Sequence, residues 1–163
     1  MRVVETLAVR QDVGTDRVRV VYESDHARLW RSLYAFTSSR VIADDAVAEA
    51  FAQALRRADE IRDVQAWVWR AAYAIARGEL KRRASNGALP EASIELQTDG
   101  VAEVLGRLGA MSDGDRELIV LCHVGGWKPN ELARVTGVPP GVIRVRLHRA
   151  TRRARDLLSE EVS

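Results

Sequence analysis

Apolar residues recur at intervals of three and four along most of the chain, the period of amphipathic helices. From Ser24, the stretch HARLWRSLYAF puts Leu29, Leu33 and Phe36 on one stripe with Trp30 and Tyr34 beside it, and Ser24 or Asp25 is the expected N-cap. A second helix is predicted from near Ala43, ADDAVAEAFAQALRRADEI, with Ala43, Val47, Ala50, Phe51 and Leu55 turned inward. The third, VQAWVWRAAYAIARGELKRR, covers about Val64 to Arg83. Further on, VAEVLGRLGAM and DRELIVLCHVG predict two more helices, the second with Asp113 as N-cap and Gly125 and Gly126 as terminator. Residues 1–23 carry a weaker pattern, in which the β-branched VRVVYE suits a short strand or an extended arm.

The clearest pattern lies between Lys128 and Leu158. Leu132, Ala133 and Val135 give a short helix its apolar face, Gly137 tolerates a left-handed turn, and Pro139 and Pro140 suit the first turn of a new helix. Short helix, tight turn and long helix make a helix-turn-helix signature. On a wheel centred on Ile143, the residues Leu147, Ala150, Ala154, Leu157 and Leu158 form one buried stripe. The opposite side carries Arg144, Val145, His148, Arg149 and Arg152, with Arg146 and Arg153 at its flanks. From Lys128 to Arg155 there are eight Lys or Arg against one acid, Glu131. An amphipathic surface helix would also be basic outside, but the turn in front of this one favours a surface for a polyanion.

Between these helical stretches, ASNGALPEASIELQTDG at 84–100 is rich in Gly, Pro, Ser and Asn and has no period, which marks a linker. The expected fold is therefore all-α: two small helical domains joined by a flexible linker, the C-terminal one a helix-turn-helix. The boundaries are an unassigned N-terminal arm at 1–23, a helical domain at 24–83, the linker at 84–100 and the second domain at 101–163.

Composition narrows the function. At 163 residues, 47% apolar and 29% charged, the chain is a folded protein with room for one domain or two small ones. Its net charge of +2 conceals a segregation, with acids gathered in Asp44 to Asp63 and bases in Arg70 to Arg83 and Arg144 to Arg155. The single cysteine, Cys122, rules out an internal disulfide framework, and its setting in LIVLCHV reads as a buried thiol. Neither the N-terminus, MRVVETLAVRQDVG, nor any later run is apolar enough for export or a membrane span, so a cytoplasmic protein is expected. There is no Gly-rich phosphate loop, paired His or Cys motif or catalytic constellation, so no enzyme, metal or cofactor is expected.

Two other clusters carry chemistry. Asp44, Asp45 and Glu49 gather near the start of the second helix, where either the helix dipole or a cationic partner accounts for them. On the third helix Arg70, Arg77 and Lys81 fall within about 40° of one another, and Arg82 and Arg83 extend the charge. Trp69 and Tyr73 are interleaved with these cations, as is Trp67, which reads as a core anchor. Cations for phosphates and rings for bases suit single-stranded nucleic acid.

Taken together, residues 24 to 158 resemble a bacterial RNA polymerase sigma factor of the extracytoplasmic-function group of the sigma-70 family. ADDAVAEAF at 43–51 is similar to the acidic segment that docks on polymerase, and WVWRAAYAIARGELKRR at 67–83 to the segment that opens and reads the −10 element. SDGDRELIVLCHVGGWKPNELARVTGVPPGVIRVRLHRA at 112–150 is similar to the domain that reads the −35 element. The resemblance implies a subunit that binds core RNA polymerase and directs promoter-specific initiation, without catalysis of its own. It assigns −35 contacts to Lys128, Val142, Arg144, Val145, Arg146, His148, Arg149 and Arg152. It assigns −10 contacts to Trp69, Arg70, Tyr73, Arg77, Lys81 and Arg82, and polymerase contacts to Asp44, Asp45 and Glu49. Implied partners are core RNA polymerase, promoter DNA and, as a family expectation, an anti-sigma protein, with no membrane and no small-molecule substrate. Ala48, Ala74, Gly78, Val142 and Val145 stand where the family commonly has Gln, Asn, Asp, Thr and Ser. These departures motivate a second reading, a polymerase-docking adaptor or competitor that leaves DNA closed; a third, a stand-alone helix-turn-helix regulator, leaves the acidic and aromatic-basic helices unexplained.

Overall fold

Helix α1 runs unbroken from Arg2 to Thr37 in the computed structural model, which describes residues 2–88 and 101–160, with side chains for 12–88 and 103–160. The N-terminal stretch is thus helix, in place of the strand or extended arm that VRVVYE suggested. The reason is tertiary. Gly14, Val18, Asp25, Leu29, Leu33 and Phe36 form one buried row at helical spacing. Arg17 donates to the carbonyls of Ala58 and Ile61 beyond the second helix, fastening the extension across the bundle. That packing outweighs the strand preference of β-branched residues. Neither Ser24 nor Asp25 caps a helix, and Asp25 lies inside the row, 3% exposed.

α1 ends where Ser38 adopts a left-handed conformation, φ 54°, with its N–H on the Tyr34 carbonyl at 2.7 Å. α2, Arg40–Arg56, starts earlier than expected because Ser39 caps it, its hydroxyl accepting from the Ile42 N–H at 3.3 Å. The inward residues are Ile42, Ala43, Ala46, Ala50, Phe51 and Ala54. Leu55, expected inside, is 50% exposed, and Val47 is half-buried. The row of alanines at intervals of four lets α2 approach its neighbours closely, so the larger side chains are displaced to the rim. α3, Val64–Ser85, is capped by Asp63, whose Oδ1 accepts from the Ala66 N–H at 3.0 Å. Leu29, Leu33, Phe36, Phe51, Val68, Trp69 and Tyr73 fill the space between these three helices.

The second half comprises α4 (Val101–Leu108), α5 (Asp113–His123), α6 (Pro129–Thr136) and α7 (Pro140–Ser159). Ser112, not Asp113, caps α5, accepting from the Asp115 N–H at 3.3 Å. Gly137 at φ 72° closes α6, its N–H on the Ala133 carbonyl at 2.9 Å, and α7 begins at Pro140. Leu132, Val135 and Ile143 are buried and hold the two helices of the motif together. Ala150 and Ala154 pack on Leu108, Met111 and Ile119, whereas Leu158, expected on the buried stripe, is 39% exposed at the end of α7. Of the expected linker, residues 84 and 85 finish α3, while 89–100 lie outside the described residues. The two halves meet where α5 packs on α1 and α6 on α3. Among the described residues there is no strand, and no helix is long and apolar enough to cross a membrane.

Candidate nucleic-acid and polymerase interfaces

The outer face of α7 is open to solvent because its inner face is occupied by Ile143, Ala150 and Ala154. Arg144, His148, Arg149 and Arg152 are exposed on it, and the apolar Val142 and Val145 stand 47% and 51% exposed among them. Arg144 donates to Asn130 at 3.3 Å, a link back to α6 that orients its guanidinium. Arg146 points elsewhere: it is partly buried and its Nη2 comes within 3.0 Å of where a side chain on Gly114 would begin. Lys128, exposed at the start of α6, has its backbone N–H on the Glu131 carboxylate at 3.0 Å. Of the eight residues expected to read DNA from this half, six therefore share the exposed face of α7, Lys128 is exposed at the start of α6, and Arg146 is set apart. A cationic helix face bearing a few uncovered methyl groups can enter a major groove, with guanidiniums for guanine edges and phosphates and valines for thymine methyls.

Asp44, Asp45 and Glu49 also lie on one exposed surface, that of α2. With Arg40 as the first residue of α2, its first turn holds no acid. The helix dipole acts within that turn, so it does not account for Asp44 or Asp45. Asp44 accepts from the Trp30 indole N–H at 2.6 Å, and Trp30 stacks on Tyr34 with centroids 5.3 Å apart. Glu49 accepts from Gln53 at 2.8 Å and from Arg56 at 3.2 Å, and these hold its carboxyl below the usual range, the Gln53 bond foremost. The Trp30–Tyr34 pair thus braces Asp44 on this exposed acidic face.

The residues expected to meet the −10 element are not together on one free surface. Trp69 and Tyr73 are in the core, 0% and 1% exposed. The Trp69 indole N–H donates to Asp25 at 2.8 Å, and the Tyr73 hydroxyl lies 2.5 Å from that of Ser32; burial pushes the phenol well above its ordinary pKa. Arg70 and Arg77 are engaged by the second half. Arg70 donates to the carbonyls of Arg134 and Val135 at 2.6 and 3.1 Å, and Arg77 pairs with Glu117 at 2.6 Å. Arg82 is held by Glu79, whose carboxyl is pulled down to about 2 by Arg82 and Arg83. Lys81 is exposed. Trp67, read as a core anchor, is only half-buried, with Arg57 6.0 Å from its ring.

Several contacts central to this geometry were not expected from the sequence. Asp25 accepts from Arg28, Gln65 and Trp69 on one oxygen and from Ser24 on the other; burial acts to raise its pKa, but these bonds together hold it below the usual carboxylate value. Trp127 lies edge-on to Trp69, centroids 5.3 Å apart, and Arg28 and Arg134 sit over its ring. Asp63 receives two bonds from Arg134, and Glu117, largely buried, has its carboxyl raised by that burial against the pull of Arg77. The Cys122 thiol is half-buried and raised by burial, as a packing residue would be. Among the described residues no three His, Cys, Asp or Glu side chains are grouped to hold a metal ion.

Comparison with known proteins matches residues 102–153 to the family described as sigma-70, region 4. The RNA polymerase sigma factor CarQ of Myxococcus xanthus is 37% identical over 57 residues, 35% of this chain; the chain thus spans a third of that relative, 33%. The extracytoplasmic-function RNA polymerase sigma factor SigL of Mycobacterium tuberculosis is 25% identical over 88% of this chain and 89% of its own. CnrH, solved in complex with the cytosolic domain of CnrY, superposes with a TM-score of 0.74 at 22% identity, over 94% of this chain and 97% of its own. The sigma factor RpoE of Bartonella quintana, solved in complex with the anti-sigma factor NepR, gives 0.70 at 20% identity over 90% and 96%. These two likenesses concern the fold, and they cover both halves at once.

Proposed function

We propose that the chain is a member of the extracytoplasmic-function group of the sigma-70 family, which binds core RNA polymerase and directs promoter-specific transcription initiation by reading the −35 and −10 elements. The observation that carries this reading is the uncovered cationic face of α7, whose exposed residues from Val142 to Arg152 fall within the region 4 match. In this reading α4 to α7 form the −35 reader, with Arg144 and Arg149 on bases or phosphates and Val145 against a thymine methyl. The bundle of α1 to α3 is the region 2-like half, docking on polymerase through Asp44, Asp45 and Glu49 and holding the −10 strand on α3. The work is binding, not catalysis, and its place is the cytoplasm. An anti-sigma protein is the further partner. The apolar groove walled by Tyr34, Val104, Leu105, Val124 and Leu158, with Arg31 and Arg155 at its rim, offers it a surface.

The test is co-purification with core RNA polymerase. The wild-type chain is expected to be retained, and the double change Asp44→Lys with Asp45→Lys to be lost while keeping its helicity. Retention of the reversed variant would remove those acids from the interface. One observation favours a second reading, an adaptor that docks but leaves DNA closed: Trp69 and Tyr73 are buried where stacking on bases needs them exposed. Permanganate reactivity of promoter thymines separates the two, since only the sigma factor yields a melted region.

A further inference from the structure

One continuous apolar cluster runs through both halves by way of Trp69, Leu118, Leu121, Trp127, Leu132 and Val135. At its edge, among α3, α5, α6 and α7, lies a recess of about 310 Å³ with Leu118 and Val135 on its apolar side. Its polar side carries Arg70 and Arg77 from α3, Arg146 from α7 and Glu117 from α5. Three guanidiniums thus share the recess with one carboxylate. The nearby acids do not redress the balance, since Asp113 is paired with Arg116 at 2.8 Å and Asp63 with Arg134 at 2.7 Å.

Each guanidinium keeps donors to spare, because an arginine carries about five N–H groups. Arg77 donates to Glu117 at 2.6 Å, and Arg70 donates through Nε and Nη2 to the carbonyls at the end of α6. Arg146 makes no hydrogen bond to another described residue and is drawn toward Glu117 by charge alone. Its Nη2 lies 3.0 Å from where a side chain on Gly114 would begin, so the bare backbone of α5 there gives the guanidinium its room. Expected on the −35 surface, Arg146 lines this recess instead. Glu117 is a weak counter-charge. Burial raises its carboxyl, against the pull of Arg77 and Arg146.

Like charges gathered beside an apolar cluster, where screening is weaker than in bulk water, favour a bound counter-anion. Phosphate oxygens suit the fork geometry of several guanidiniums at once. The volume sits at the small end of ligand pockets, about 300 to 1,000 Å³. We propose that this recess binds a small phosphate-bearing molecule, with Arg146, Arg77 and Arg70 donating to its phosphate oxygens and Glu117 limiting its affinity. The site is independent of the sigma-factor reading. Its ligand is a free molecule and not the DNA backbone, because a recess of this size between helices admits no duplex.

The test is isothermal titration calorimetry of the full chain with pyrophosphate at fixed ionic strength. The wild type should bind it saturably below about 1 mM. Arg146→Gln should weaken binding about tenfold, the loss of a charge-assisted contact. Glu117→Gln keeps the shape and removes the like charge, and should strengthen binding about fivefold. The opposite signs of these two changes keep a general loss of structure from imitating the result, and circular dichroism checks helicity. Arg149→Gln, on the outer face of α7, should leave pyrophosphate binding as it is. A short DNA duplex added at equal concentration should not displace the probe. No saturable binding by the wild type, equal loss in Arg146→Gln and Arg149→Gln, or no gain in Glu117→Gln would each overturn the site. Displacement by the duplex would overturn the free ligand and give the phosphate to DNA.

Discussion

Replacing Asp25 by Asn tests the centre of the first bundle. Its Oδ2 accepts from Arg28 at 2.8 Å, Gln65 at 2.9 Å and Trp69 at 2.8 Å, and so joins α1 to α3 beneath the ring that faces Trp127. A hydrogen bond to a charged acceptor contributes about 1.5 to 3 kcal/mol and a neutral one about 0.5 to 1.5, so Asn forfeits about 1 kcal/mol for each of the three donors. Burying no charge offsets part of this, and the net loss should be about 2 kcal/mol. Alanine should cost about 4 kcal/mol, because the wholly buried Trp69 indole N–H is then left without an acceptor. With a urea slope of about 2 kcal/mol/M, the Asn change moves the unfolding midpoint by about 1 M. The pH dependence has a definite sign. The folded-state pKa of Asp25 is lowered, so its contribution is present above the ordinary Asp range and fades as pH falls through the folded value. Wild type and Asp25→Asn should differ fully at pH 7 and converge well below about pH 4. A midpoint shift under about 0.3 M, or a gap that persists in acid, would refute this account of the hub.

Other substitutions probe separate parts of the molecule. A side chain at Gly78 would meet nothing within 4 Å, so Gly78→Ala should stabilise α3 by up to about 1 kcal/mol, read as a rise in melting temperature; a fall would mean that the glycine is required within the fold itself. Gly125→Ala should do the reverse, losing about 1 to 3 kcal/mol, because its Cβ would lie 2.6 Å from the Leu121 carbonyl and 3.1 Å from the Trp69 ring. An unchanged urea midpoint would show that the turn gives way. Arg144→Ala and Arg149→Ala should each weaken promoter binding by about 1 to 3 kcal/mol, with selectivity lost at particular base pairs. Equal weakening on every sequence in a competition assay would restrict them to phosphate.

The helix-turn-helix was legible because its signals are local: Gly137 at the left-handed turn, prolines at the start of α7, and a stripe from Ile143 to Ala154. The register of α2 was less so, since Val47 and Leu55 look like better core residues than Ala46 and Ala54, and only close helix packing makes the alanines inward. The VRVVYE stretch followed the same rule in reverse, its β-branched residues becoming helical once Val18 had a pocket. For Trp69 and Tyr73, helical position beside Arg70 suggested a nucleic-acid face, but the same period serves a core, and Asp25 and Ser32 decide it from another helix. The contact between the halves had no local signal at all. Asp63 and Arg134 are 71 residues apart and meet only when the halves pack.

Run-off transcription tests the central claim most directly. Core RNA polymerase, the purified chain and fragments recovered by their binding to the two together should yield discrete transcripts whose start sites lie downstream of a shared pair of elements. Those transcripts should vanish when the chain is omitted. Stable binding of the chain to polymerase with no initiation on any recovered fragment would contradict the claim.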